Sequence, residues 1–567
     1  MEGANKFQHS YGRPSISQHE PVHYRQPKRT SYRWCIVLGV LVLLIAAGIG
    51  AYFGITQAMK SSSSSSNSTS SGSGSAASPT PFSPVAFNAS TYKPTHTLKN
   101  YNLVDGKAFY GFGVALAWWA RNLGTNYWNT TTFDHVLDLL FDINKGLGLT
   151  IVRYNIGGTV TAGSCNFAYM RDMPAVQTSA SAALNMEQDY AQKRTFLGAM
   201  ARGVQTVEMF SSSPPQWLTK NGNTCGNWGG GSNLDSSNYQ AFANYLTQVV
   251  VYYRDNYNIN VFSVSPFSEP NAYWWQPGST AQEGCHFEPS EAAAFASVLA
   301  STLKAANLNT LVAGTDEVDY AVGASVLSSI GSNSGGISKV GVHGYYDPGA
   351  SARQNFKAAA NAMGKTIIWM TELGTAGQDM YDNQDYTVRT LGGIGLARNI
   401  ISDIVYTGAT GWLYWQAVDG GTWGLLSSAN GDPGNFFLGK QYYTFMQFSK
   451  WLRPGMDIIA LDQSDPPSFL VARNTAAHQM VIVLKNQDFN QNSYALDISA
   501  YALGINSTSR TSNVTMAVYR TSDSENHASV ALDSNNFGYG ANSVVLIANV
   551  PQVSVTTVVL SGLTWSV

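Results

Sequence analysis

The sequence predicts an α/β protein: a (β/α)8 TIM barrel with an appended all-β sandwich domain, preceded by one transmembrane helix. Three observations predict it. Between residues 100 and 452, eight short apolar runs alternate with stretches of helical period. After Pro454 the helical pattern stops and only short β-branched runs remain. An uninterrupted apolar run, Cys35 to Ile55, stands alone near the N-terminus. A chain of 567 residues has room for a large core plus an accessory unit.

Residues 1–33 are polar, without an apolar period, and are expected to be a disordered cytosolic tail. Residues 34–56 form the expected span: a helix of about 21 residues reaches about 31 Å, the thickness of a bilayer core. Arg25, Lys28, Arg29 and Arg33 precede it and only Lys60 flanks it afterwards. That bias puts the N-terminus in the cytosol and the rest on the extracellular or lumenal side. Residues 57–86, rich in Ser and Pro, read as a stalk too poor in apolar groups to fold, where proteolysis would shed a soluble form. Sequons at Asn67, Asn88, Asn129, Asn506 and Asn513 all lie beyond the span and suit an exported glycoprotein.

The barrel strands are expected at Phe109–Val114, Leu149–Ile156, Val204–Phe210, Asn260–Phe267, Thr310–Thr315, Lys339–Gly344, Ile367–Thr371 and Gly411–Gln416. Helical spacing runs from Phe133 to Phe141 after an N-cap at Thr132, recurs at Tyr239, Phe242, Leu246 and Val249, and again after Ser290. Eight strands in alternation with helices favour the barrel over an open doubly wound sheet. Ser468–Arg473, Gln479–Lys485, Asn513–Thr521, Asn542–Val550 and Val553–Ser561 supply the β-sandwich, assigned to 453–567 together with 87–99 from the other end of the chain.

Composition narrows the chemistry. Only 12% of residues are charged and the net charge is -2, which argues against nucleic acid and strongly charged substrates. Fourteen Trp and 30 Tyr suit neutral sugars, whose C–H faces stack on aromatic rings. Cys165, Cys225 and Cys285 allow one disulfide and one free thiol, and spacing does not choose the pair. No CxxC or HxxxH spacing occurs, so a metal site is not expected.

The informative residues are two glutamates. Glu269 follows the fourth predicted strand, between Pro266 and Pro270 and just ahead of Tyr273, Trp274 and Trp275. Glu372 follows the seventh, in Trp369-Met370-Thr371-Glu372-Leu373-Gly374. In a barrel those strands face each other across the mouth, where chemistry resides. Glycosidic bond cleavage needs such a pair: one carboxyl protonated for the leaving oxygen, the other ionised. Arg153, His343 and Tyr345 are the donors expected around the ionised one, Trp415 is expected to stack on sugar, and Trp118 to line the substrate cleft. Trp119, Trp217, Trp228 and Trp423 are further cleft candidates. Asp316, Glu317 and Asp319 are expected to be supporting or surface acids.

These segments resemble glycoside hydrolase family 30, in particular its endo-β-1,6-galactanase branch. The resemblance is carried by Gly111-Phe112-Gly113, Arg153-Tyr154-Asn155-Ile156-Gly157-Gly158, Phe210-Ser211-Ser212-Ser213-Pro214-Pro215, Pro266-Phe267-Ser268-Glu269-Pro270, Gln282-Glu283-Gly284-Cys285-His286-Phe287 and Thr371-Glu372-Leu373-Gly374, in the expected order. It implies Glu269 as acid/base, Glu372 as nucleophile, retention of configuration, no cofactor, endo action and a β-1,6-linked galactan. It also implies substrate contacts from Asn155, Glu283 and His286, beside those expected of Tyr273 and Trp274. One position departs: members of this clan carry Asn before the acid/base glutamate, where this chain has Ser268. That departure keeps two alternatives open, a β-1,6-glucanase or other β-glycosidase of the family, and a membrane-tethered carbohydrate-binding protein with reduced catalysis. The sequence says nothing of oligomeric state.

Overall fold

The computed structural model describes residues 94–565, apart from 105, 125–128, 164, 166–170, 279–281, 346–348, 376–378, 381–391, 421–422, 429–435, 502–513, 533–535 and 541–543. The expected tail, span and stalk, and the sequons at Asn67, Asn88, Asn506 and Asn513, lie outside the described residues. Among the described residues no helix is long and apolar enough to cross a membrane.

After a first strand, β1 (His96–Asn102), eight parallel strands close into a barrel: β2 (Gly111–Ala115), β3 (Ile151–Asn155), β4 (Thr206–Phe210), β5 (Ser263–Ser265), β6 (Leu311–Glu317), β7 (Ile337–His343), β8 (Ile368–Leu373) and β9 (Gly411–Tyr414). Closure is by Gly111 to Val114 of β2 against Gly411 to Tyr414 of β9. The strands are almost wholly buried, as a parallel sheet covered by helices requires. The floor of the barrel is aromatic, with Trp369 stacked on Phe262 at 5.4 Å and Ile151 and Leu413 beside it.

Four local expectations are corrected. β5 stops at Ser265, because Pro266 has no N–H to continue the ladder. β8 continues through Leu373, so Glu372 lies within the strand and not beyond it; His343 of β7 pairs with it, and its carbonyl accepts from Gly344 N at 2.9 Å. The helix Thr130–Phe141 is capped by Asn129, whose side chain accepts from Thr132 N at 2.9 Å, so Thr132 sits in the first turn. The helix Pro289–Ala305 likewise begins before Ser290: Pro289 fits the first turn, and the Glu291 carboxylate accepts from Glu288 N at 2.9 Å.

β1 joins the all-β part of the chain. It pairs antiparallel with Asp457–Leu461 and parallel with Asn492–Asp497, at the centre of a ten-stranded sheet. Leu98, Phe469, Ile482, Val518, Ile547 and Val558 belong to the separate apolar core of that sheet. The helix Lys440–Ser449 lies between this sheet and the barrel, with Gln447 meeting Thr521 and Thr557.

Candidate active site

Both glutamates are held at the C-terminal mouth of the barrel by neighbouring strands. Glu269 lies in the turn after β5 with φ of 51°, a left-handed conformation that costs a non-glycine residue energy and must be imposed by its surroundings. Its N–H donates to Asp316 O at 2.7 Å, and its carbonyl accepts from Trp275 Nε1 at 2.6 Å. Asn271, two residues on, gives its backbone and side-chain N–H groups to Glu317, at 3.2 and 2.8 Å. The Glu269 carboxyl and His343 Nδ1 share a hydrogen bond of 3.0 Å.

Glu372 faces it from β8. Tyr345 Oη donates to it at 3.0 Å, Arg153 Nη1 lies at 3.4 Å and His343 Nδ1 at 3.7 Å. One oxygen of each glutamate and His343 Nδ1 all lie within 4.8 Å of one another. A divalent cation could share such a triad, but Arg153 already brings a permanent positive charge to it.

Burial sets the electrostatics. It raises the Glu372 carboxyl above its ordinary value, with Glu269 adding to the rise, against the pull of His343, Arg153 and Tyr345. Burial opposes a charge on His343, yet Glu372 and Glu269 outweigh it and the imidazole is raised. Burial, and then Glu372, lift the Tyr345 phenol well above its usual range, so it stays a donor. Tyr345, Arg153 and His343 all approach Glu372, whereas among these donors only His343 reaches Glu269.

Arg153 is itself fixed by a buried ion cluster. Its guanidinium donates to Glu208 at 3.2 Å and to Asp316 at 2.5 Å, and lies 3.9 Å over the Phe210 ring. Glu208 also takes Ser263 Oγ at 2.6 Å and the ammonium of Lys339. No sequence pattern marks Glu208 or Lys339, whose partners lie on other strands. Asp316 and Glu317, expected as supporting or surface acids, are both buried, while Asp319 caps the helix Tyr320–Ile330 through Ala321 N and Val322 N.

A cavity beside Glu372 is lined by Trp118, Asn155, Phe210, Ser212, Ser268, Gln282, Glu283 and Trp415. Trp118 and Trp415 meet edge to face at 4.8 Å. Asn155 Oδ1 and Glu283 Oε2 are buried without a hydrogen-bond partner among the described residues. Glu283 Oε1 accepts from Thr159 Oγ1 at 2.6 Å, and burial pushes its carboxyl up to about 8. The cavity thus gathers the expected Trp118, Asn155, Ser268, Glu283 and Trp415, with Arg153, His343 and Tyr345 around the carboxylates.

Three expected residues are not among those lining it. Tyr273 is 85% exposed, Trp274 rests edge to face on it at 5.0 Å, and His286 turns Nε2 to Glu288 at 3.1 Å. The third aromatic of that run, Trp275, is the one buried, under the Glu269 carbonyl. Trp119 belongs to the core, Trp217 donates to Gln177 O at 2.8 Å, Trp228 is exposed, and Trp423 lies 6.5 Å from Tyr345.

The disulfide is Cys165–Cys225, with Cys285 buried and free. It ties the segment after β3 to the one after β4, where Thr224 meets Thr159 at 3.2 Å. Closing a loop of 60 residues is worth about 4 kcal/mol in the chain-entropy account. The Cys165→Ser, Cys225→Ser double variant should therefore show a lower Tm, and an unchanged Tm by calorimetry would contradict the bond.

Known proteins resemble this one in sequence and in fold. A family model described as O-Glycosyl hydrolase family 30 matches residues 102–328, a stretch that includes Glu269. An endo-beta-1,6-galactanase from Hypocrea rufa is 31% identical over 403 residues, which cover 66% of this chain and 78% of that protein. Among solved structures, a conserved exported protein from Bacteroides fragilis aligns with a TM-score of 0.67 at 19% identity, over 82% of this chain and 99% of that one. The catalytic domain of GH30 xylanase C from Talaromyces cellulolyticus aligns with a TM-score of 0.60 at 19% identity, over 83% and 99%. At such identities the two structures speak for the fold alone.

Proposed function

The chain belongs to glycoside hydrolase family 30 and is an O-glycoside hydrolase, and from that premise we propose that Glu269 and Glu372 cleave β-1,6-linked galactan internally, with retention of configuration. The observation that carries the mechanism is the spacing: an oxygen of one carboxylate lies within 4.8 Å of an oxygen of the other. Retaining enzymes hold the two carboxyls about 5–5.5 Å apart, whereas inverting ones leave about 6.5–9.5 Å for a water. The galactan reading is supported by the Hypocrea rufa relative, an endo-beta-1,6-galactanase.

In the first step Glu269 gives its proton to the glycosidic oxygen as the bond from that oxygen to the anomeric carbon breaks. Glu372 attacks the same carbon and becomes a glycosyl ester. In the second step Glu269, now a carboxylate, takes a proton from water while the water oxygen displaces Glu372. Tyr345 and Arg153 receive the Glu372 carboxylate as it leaves. Trp118 and Trp415 offer faces for the ring, and Asn155 and Glu283 offer polar atoms for its hydroxyls.

Glu283 gives a pH-dependent expectation. With its carboxyl raised to about 8, it is neutral and a donor below that pH and loses the proton above it. Glu283→Gln keeps a donor, so KM at pH 6 should stay within about threefold of wild type, while Glu283→Leu should raise it about tenfold or more. Above pH 8 the wild-type KM should climb and the Gln variant's should not; parallel profiles would remove Glu283 from the binding site.

Ser268 lines the cavity but is shorter than the asparagine of the clan. Ser268→Asn should raise kcat about tenfold, by about one added hydrogen bond to the sugar; a fall in kcat would count against this contact.

The substrate test is product analysis on purified β-1,6-galactan and β-1,6-glucan. Galactan oligosaccharides released from within the chain support the proposal. Cleavage of the glucan alone moves the specificity, and binding without cleavage of either defeats the hydrolytic reading of this site. We also infer, from the apolar run Cys35 to Ile55 and the basic residues before it, a tethered enzyme facing the extracellular or lumenal side. Release of the protein from membranes by alkaline carbonate would contradict that anchor.

A further inference from the structure

Asp316 touches the supports of both glutamates at once. It is the extra residue of a bulge in β6: Thr315 pairs with Gly341 and Glu317 with Val342, and Asp316 falls between them with φ of 57°. Bulges of this kind re-aim a side chain, here into the barrel. Its Oδ2 accepts from Ser265 Oγ at 2.5 Å, four residues before Glu269, and from Arg153 Nη2 at 2.5 Å, the guanidinium that reaches Glu372. Its Oδ1 accepts from Thr371 Oγ1 at 2.6 Å, the residue next to Glu372. Its backbone oxygen accepts from Glu269 N. Opposite it, β7 carries Gly341, and a Cβ there would lie 2.2 Å from Asp316 Oδ1.

We propose that Asp316 is a positioning residue that sets the separation of the two catalytic glutamates, a claim that rests on their proposed roles. β3, β5 and β8 each deliver a donor to the one carboxylate, and β6 itself supplies the backbone acceptor for Glu269. Movement of Asp316 would carry Glu269 and Glu372 apart or together. The cations Arg153, His343 and Lys339 act on Asp316, and they in turn are paired with Glu208, Glu269 and Glu372. Asp316 does not meet the sugar in this scheme, because it is fully buried and is not among the residues that line the cavity.

The test compares the full chain with Asp316→Asn, Gly341→Ala and Thr371→Val, using 2,4-dinitrophenyl β-galactoside and its gluco counterpart. Misplacing reacting groups by about 1 Å costs about 100-fold in kcat. Asp316→Asn should show that loss with KM within about threefold. It should also move the acidic limb of the rate profile to lower pH, because removing an anion from the cluster around Arg153 makes the raised Glu372 carboxyl easier to ionise. Gly341→Ala, which keeps the carboxylate and displaces it, and Thr371→Val should each lose kcat about tenfold. If Asp316→Asn fails to fold, those two variants decide. Unchanged kcat per folded molecule, a loss confined to KM, or an unmoved acidic limb would overturn the proposal, since a purely structural residue alters Tm and leaves the limb in place. Glu372→Gln and Glu269→Ala serve as the reference. If they stay active, the parent reading fails; if they are inactive while Asp316→Asn is normal, only the positioning role fails.

Discussion

Glu372→Gln should lower kcat by at least about 10⁴-fold, the largest single effect of any substitution in the chain. The amide keeps the shape and can still accept from Tyr345, but it cannot form the glycosyl ester. KM should change little, since Trp118, Asn155, Glu283 and Trp415 are untouched. The same change should raise the Tm at neutral pH. Burial raises the Glu372 carboxyl in the folded protein above its unfolded value. Such a group favours folding while it is protonated in both states, and that contribution is lost as pH rises through the unfolded and then the folded value. Glutamine does not ionise and escapes the loss. A variant that is inactive and no less stable separates a nucleophile from a structural ion pair; retained turnover would remove Glu372 from the chemistry.

Glu269→Ala should lower turnover on galactan by about 10²–10⁴-fold, because the poor leaving group departs without its proton. A dinitrophenyl leaving group needs little protonation, so with it the first step survives and the second becomes slow. Azide, which needs no general base, should then accelerate turnover and yield the β-glycosyl azide. The Trp275 Nε1 and Asp316 O contacts hold the backbone of residue 269 and not its side chain, so the turn should persist in the variant. Absence of azide acceleration, with equal losses on both leaving groups, would assign Glu269 a structural role.

The barrel was legible because each strand is a short apolar run stopped by a turn residue, and the eight runs alternate with helical spacing. Its ends were less so. Glu372 looked like the first residue beyond its strand, since sequence does not show that His343 would pair with it. The carboxylate pair was legible from residue type and position. Which of Tyr273, Trp274 and Trp275 turns inward was not, because an irregular turn has no period to separate faces; Trp275 took the buried place and left Tyr273 in solvent. Lys339 and Glu208 sit in strands where a charge ordinarily signals an exposed face, and they are buried because each finds an opposite charge there, Lys339 in Glu208 and Glu208 in Lys339 and Arg153. Asp316 was hidden for a related reason: a bulge is a relation between two strands, and its aim depends on Gly341 opposite. The disulfide, one of three pairings that spacing left open, needed the two segments brought together in space.

Trapping the intermediate tests the central claim most directly. A 2-deoxy-2-fluoro-β-galactosyl substrate with an activated leaving group slows the second step more than the first, and peptide mass mapping then finds the labelled residue. The account predicts one fluorosugar per chain, attached to the peptide that contains Glu372. A label on another residue, or inverted product with no covalent adduct, would contradict it.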